Sequence, residues 1–184
     1  MGKPRHSEAY YAVKEHYNRK NWEDRKVFTN KTRPEVQRKN ILENQGFIKG
    51  AYSNFKSPNP RMFHADHQVA IKEAWQSGGY KWSQAKKNKF SHDVSNIVMA
   101  HGKVNREKSY KGIEKWMPKN NVEEYLSRRE ATKKKYGLTS TKEEFQVFSK
   151  VMGRKPDVKM GQRVEQTKYC TKCHINHSMY NHKK

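Results

Sequence analysis

The chain has 184 residues, enough for one domain or one domain with a small appendage. Its 40 Lys and Arg against 18 Asp and Glu give a formal charge of +22, spread along the chain rather than gathered in a tail. That excess favours a polyanionic partner, because each cation that contacts a phosphate releases condensed counterions. A membrane surface is the competing polyanion, but no apolar run approaches the ~18 residues a spanning helix needs, so no membrane partner is expected. The opening MGKPRHSEAYY also lacks an apolar leader, which predicts a cytoplasmic protein.

Apolar residues make up 33%, so four Trp, ten Tyr and seven Phe must supply much of the core. Both cysteines lie in a single C-x-x-C, which leaves no disulfide framework and suits metal binding in a reducing compartment.

In chain order, SEAYYAVKEHY predicts a first helix capped by Ser7, with Tyr10, Val13 and Tyr17 as its apolar stripe. TRPEVQRKNILENQG predicts a second, with Pro34 in the first turn and Gly46 as its stop. FIKGAYSNFKSPNPR is loop-like. RMFHADHQVAI alternates as a short strand, with Phe63 and Ala65 on one face and His64 and Asp66 on the other. Two short helical turns flank Gly78-Gly79, and SNIVMAHG predicts another strand closed by Gly102. KVNREKSYKGIEKWMP predicts a helix running to Pro118. NVEEYLSRREATKKKYGL is helical, with Val122, Tyr125 and Leu126 inward and Gly137 as its C-terminal stop. TSTKEEFQVFSKVMG opens on a capping box, Thr141 with Glu144, and continues through Phe145, Phe148 and Met152. Beyond Gly153 a basic linker leads to YCTKCHINHSMYNHKK. The Lys runs KKNK and KKK predict solvated faces or phosphate-tracking surface.

The order strand, strand, helix gives Asp66-His67 a context. An isolated Asp-His pair is usually a hydrogen-bonded turn. The helix that VNREK opens behind the second strand can supply a second ligand facing back at the pair. Phosphodiester hydrolysis needs an activated water and charge neutralisation at the phosphate. A neutral imidazole and one hard cation supply both. Carboxylate and amide oxygens favour Mg²⁺ or Mn²⁺ over zinc at such a site.

The stretch from Ala65 to Pro118 resembles the HNH (His-Me finger) endonucleases, on the branch related to the C-terminal nuclease domain of GmrSD-type restriction systems. The resemblance rests on Asp66, His67, Glu73-Ala74-Trp75, Ser77-Gly78, Trp82, Asn96, Asn105-Arg106, Lys108 and Trp116-Met117-Pro118. It implies a phosphodiester hydrolase with His67 as general base and Asp66 and Asn105 as ligands of Mg²⁺ or Mn²⁺. It also implies that Asn96 braces the site, and that Arg106 and Lys108 contact substrate. The chain departs from the pattern where Ala70 follows Val69 in place of a proline, and where His64 stands two residues before Asp66 in place of an acid. His64 and His101 thereby become candidate extra ligands. Trp75, Trp82 and Trp116 are expected to pack the core.

Cys170, Cys173, His177 and His182 set two soft thiolates and two imidazoles within 13 residues, which suits a structural Zn²⁺ in a knuckle-like module. His174 competes with His177 for one place.

The expected fold is α+β: a small ββα-metal core with flanking helices and a zinc-knuckle-like tail. Residues 1–60 form a basic helical region, 61–153 the nuclease core, and 154–184 the linker and zinc module. The expected function is an HNH DNA endonuclease or nickase acting on double-stranded DNA, with nicking the default for a monomer and double-strand cuts requiring a dimer or two binding events. A homodimer or a protein partner is the expected assembly. The alternative is a non-catalytic basic protein that binds DNA, RNA or ribosomes.

Overall fold

The computed structural model describes residues 17–164, together with the backbone of two further strands at 167–170 and 175–178. The helix expected from Ser7 falls mostly on residues outside these. From Asp24, whose carboxylate caps Lys26 and Val27, the chain forms a short α turn, Arg25–Val27, and a π turn, Phe28–Thr32. These run into α1 (Arg33–Glu43), with Pro34 in its first turn as the sequence predicts. A hairpin of two-residue strands follows, β1 (Ile48–Lys49) and β2 (Lys56–Ser57).

The centre of the molecule is an antiparallel pair, β3 (Phe63–His67) and β4 (Ile97–His101), in the register Phe63↔His101 through His67↔Ile97. Between them lie α2 (Ile71–Gln76) and α3 (Gln84–Ser91), the latter capped by Ser83. Helix α4 (Gly102–Lys108) leaves β4 directly. Next come α5 (Val122–Tyr136), β5 (Thr139–Ser140), α6 (Lys142–Met152) and β6 (Lys159–Met160), which pairs in parallel with β5. The capping box of Thr141 with Glu144 forms, and Gly137 stops α5 with a φ of 69°. Beyond these, β7 (Thr167–Cys170) and β8 (Ile175–Ser178) make an antiparallel hairpin. The fold is therefore α+β, helices around short two-stranded sheets.

Strand β4 is buried on both faces because helices cover both. Ile97 and Met99 join Phe28, Val36, Ile48 and Phe63 on one side, while Val98 and Ala100 join Tyr52, Tyr125, Leu126 and Phe148 on the other. A third cluster, including Trp22, Val69, Trp75, Phe90 and Tyr136, lies beneath α2 and α3. Trp75 is buried as expected, while Trp82 and Trp116 are half-buried at the cluster edges.

Two expectations need correction. The helix expected to run to Pro118 ends at Lys108, and Ser109 turns the chain with a φ of 51°. Core packing overrides the helical pattern here: the turn brings Ile113 and Trp116 back against Tyr52 and Tyr125. The Lys runs are not wholly solvated either, since Lys87 and Lys133 are buried. Among the described residues, no helix is long and apolar enough to cross a membrane.

Candidate active site

His67 ends β3 with its imidazole buried between the rings of Phe28 and Phe90, roughly parallel to both. Its Nε2 lies 2.8 Å from the Ser91 carbonyl oxygen. A carbonyl only accepts, so Nε2 carries the proton and Nδ1 keeps the lone pair. Burial pushes this imidazole below its ordinary value, against the opposing pull of the Ser91 carbonyl and the Asp66 and Glu23 carboxylates. The group is therefore neutral near neutral pH, with one basic nitrogen of fixed identity.

The residues after His67 are pinned at almost every backbone polar group. Lys108 Nζ donates to the His67 carbonyl at 2.8 Å, and the Gln68 amide donates to the Asn96 carbonyl at 2.8 Å. Arg129 donates to the Gln68 carbonyl at 2.5 Å. The buried Asn96 side chain takes the Val69 N–H at 2.9 Å and gives its own N–H to the Val69 carbonyl at 3.0 Å. Asn96 is thus a brace on the loop, and its amide is spent on Val69 rather than on the imidazole.

Asp66 accepts through a single oxygen. Tyr52 donates to Oδ2 at 2.6 Å, and the ammonium of Lys108 lies 2.9 Å from the same atom. No hydrogen bond reaches Oδ1 from the described residues. Burial and the Asp66 carboxylate together push the Tyr52 phenol well above its usual range, so it stays a donor. Lys108 was expected on substrate, but its ammonium is fully buried and divided between Asp66 and the His67 carbonyl. It positions the site from behind.

Asn105 lies on α4 with its amide nitrogen 3.3 Å from His64 Nδ1, which leaves its carbonyl oxygen free of that contact. Asp66, His67, Asn105 and Arg106 line one cleft of about 480 Å³, which Arg19, Lys72 and Tyr110 also line. A larger hollow between α1 and α5 contains none of these side chains. In the cleft, Lys72 sits 4.0 Å over the Tyr110 ring.

Among the described residues, no three His, Cys, Asp or Glu side chains gather closely enough to hold a metal ion. The donors the cleft offers are the carboxylate of Asp66 and the amide oxygen of Asn105. Two hard oxygens, completed by water and phosphate, fit a cation of the Mg²⁺ or Mn²⁺ type. In the C-terminal hairpin, Cys170 ends β7 opposite Ile175, and His177 in β8 pairs with Lys168. Cys173, His182 and His174 lie outside the described residues.

Sequence reasoning missed Tyr52, the Ser91 carbonyl and Arg129. A backbone acceptor leaves no signal in a sequence, and Tyr52 sits in a loop fourteen residues before its partner. Arg129 did leave a signal: it falls four residues after Tyr125, on the inward stripe of α5.

Comparison with known proteins gives little. No family model matches the chain, and no solved structure matches it. A protein of Arthroderma benhamiae named "Uncharacterized secreted protein" is 34% identical over 55 residues, which cover 29% of this chain and 27% of that protein.

Proposed function

We infer that the protein is a metal-dependent DNA endonuclease or nickase of the HNH type, built on a ββα-metal core of β3, β4 and α4. The observation that carries this reading is the state of His67: neutral, tautomer fixed by the Ser91 carbonyl, and sharing a cleft with Asp66 and Asn105. In this reading, Nδ1 of His67 takes a proton from the attacking water. Asp66 and Asn105 hold a divalent cation, which supplies charge neutralisation at the scissile phosphate and the leaving oxygen. Lys108 and Tyr52 fix the Asp66 carboxylate, while Asn96 and Arg129 fix the loop that follows the base. Arg106, Arg19 and Lys72 supply positive charge to hold the strand. The C-terminal Cys170, Cys173, His177 and His182 would hold a structural zinc.

The test is plasmid cleavage with and without Mg²⁺ or Mn²⁺. Nicked product from the wild type, abolished in His67→Ala, supports the reading. Equal behaviour of the two proteins ends it, and tight DNA binding without cleavage under any divalent ion leaves the non-catalytic binding role. The proposed compartment is intracellular, on the lone C-x-x-C, and fractionation of the tagged protein tests it directly.

A further inference from the structure

Outside the cleft, residues that adjoin it along β3, β4 and α4 lead to a second surface. It starts at Asn105, whose amide meets His64 at 3.3 Å. The His64 ring lies so close to Gly102 that a side chain there would meet it at 3.2 Å and the Arg106 guanidinium at 3.5 Å. The next residue back, His101, carries the Phe55 ring edge-on at 4.9 Å. His64 and Arg106 are exposed, and Phe55 keeps 40% of its surface open to solvent.

That open phenyl ring is held on a rigid support. The β1–β2 hairpin that carries it is tied to α1 by Asn40, whose amide bonds the Lys49 carbonyl at 3.0 Å and the Lys49 N–H at 2.8 Å. The hairpin loop is tied to β4 by the Ala51 N–H on the Met99 carbonyl at 2.9 Å. No Asp or Glu occurs from Asn44 to Ala65, whereas Lys49, Lys56 and Arg61 from that stretch are exposed. An exposed aromatic on a fixed support, in a stretch of chain that carries exposed cations and no acids, is the chemistry that receives a base on its face and phosphates beside it. A duplex keeps its bases stacked on each other, so only an unpaired base can use the ring.

We propose that Phe55 stacks an unpaired base of a DNA strand, so that the surface around it binds single-stranded DNA. The proposal rests on the nuclease reading only for the choice of DNA as the nucleic acid. Its test needs no cleavage.

Fluorescein-labelled oligodeoxythymidine, and the same strand paired with oligodeoxyadenosine, are titrated by anisotropy in EDTA with wild type, Phe55→Ala, Phe55→Leu and Phe55→Trp. Melting temperature serves as the fold control. Phe55→Ala and Phe55→Leu should both weaken single-strand binding about tenfold, the loss of one stacked base, and Phe55→Trp should retain it. Duplex binding should change less than about twofold in all three. The proposal is overturned if Phe55→Leu binds single strands like wild type, if both DNA forms weaken equally, or if no variant changes binding. A failed His67 cleavage test would remove the nuclease reading and leave these outcomes unaffected.

Discussion

Two clusters of buried charge flank the residues that follow His67, and they differ in what they leave open. In one, Glu73 of α2 gathers Arg129 at 2.5 Å, Lys133 at 3.1 Å and Arg163 at 3.4 Å onto a single oxygen, and Glu144 of α6 closes on the same cations. Its spare oxygen, Glu73 Oε2, is sealed inside without a hydrogen bond from the described residues. In the other, Asp66 commits Oδ2 to Lys108 and Tyr52 but keeps 9% of its surface at the cleft. Burial alone would raise the Glu73 carboxyl, yet the three cations overcome it and hold it well below the usual carboxylate range. A carboxylate enclosed in this way can order a fold. One left with an oxygen at a cleft can also bind a ligand.

The contrast breaks first at the base. His67→Ala should slow metal-dependent nicking by about 10²–10⁴-fold, measured as initial rates on supercoiled plasmid. Next in size is the closed cluster. Glu73→Ala leaves Arg129, Lys133 and Arg163 with one buried carboxylate too few and should lower unfolding stability by about 3–5 kcal/mol in urea denaturation, a loss expected with or without divalent ion. At the open cluster, Lys108→Met removes the partner of Asp66 and of the His67 carbonyl. It should lower stability by about 1–3 kcal/mol while leaving the salt dependence of DNA binding unchanged. Arg106→Ala should do the reverse: stability holds, and the slope of log K against log salt falls by about 1. If Lys108→Met lowered that slope instead, its ammonium would be reaching phosphate after all.

The pH dependence follows from His67. Its folded value lies below the ordinary 6.5, so near and below that pH the unfolded chain binds the proton more readily. The sign is that stability rises with pH through this window and falls as pH drops below about 6.5. The acid limb of the nicking rate should accordingly inflect below 6.5, and an inflection above it would contradict the buried, neutral base.

Much of the fold was legible in the sequence. Pro34, the Thr141–Glu144 capping box and Gly137 each act through their own few residues, and α1, α5 and α6 begin or end close to where they predict. The alternation around Asp66 was legible for the same reason. The end of α4 was not, because Ser109 turns the chain to serve the distant packing of Trp116 on Tyr52. Lys133 failed as a surface lysine because its partner Glu144 lies eleven residues ahead on another helix.

The sequence by itself nominated the residues for chemistry, Asp66 and His67 by type and adjacency and Asn105 through the family resemblance. Only the tertiary structure decided what each is free to do. It turned Lys108 inward, spent Asn96 on Val69, and left the lone pair of His67 on Nδ1. Those assignments depend on long-range contacts with carbonyls and carboxylates, and a backbone carbonyl has no letter in a sequence.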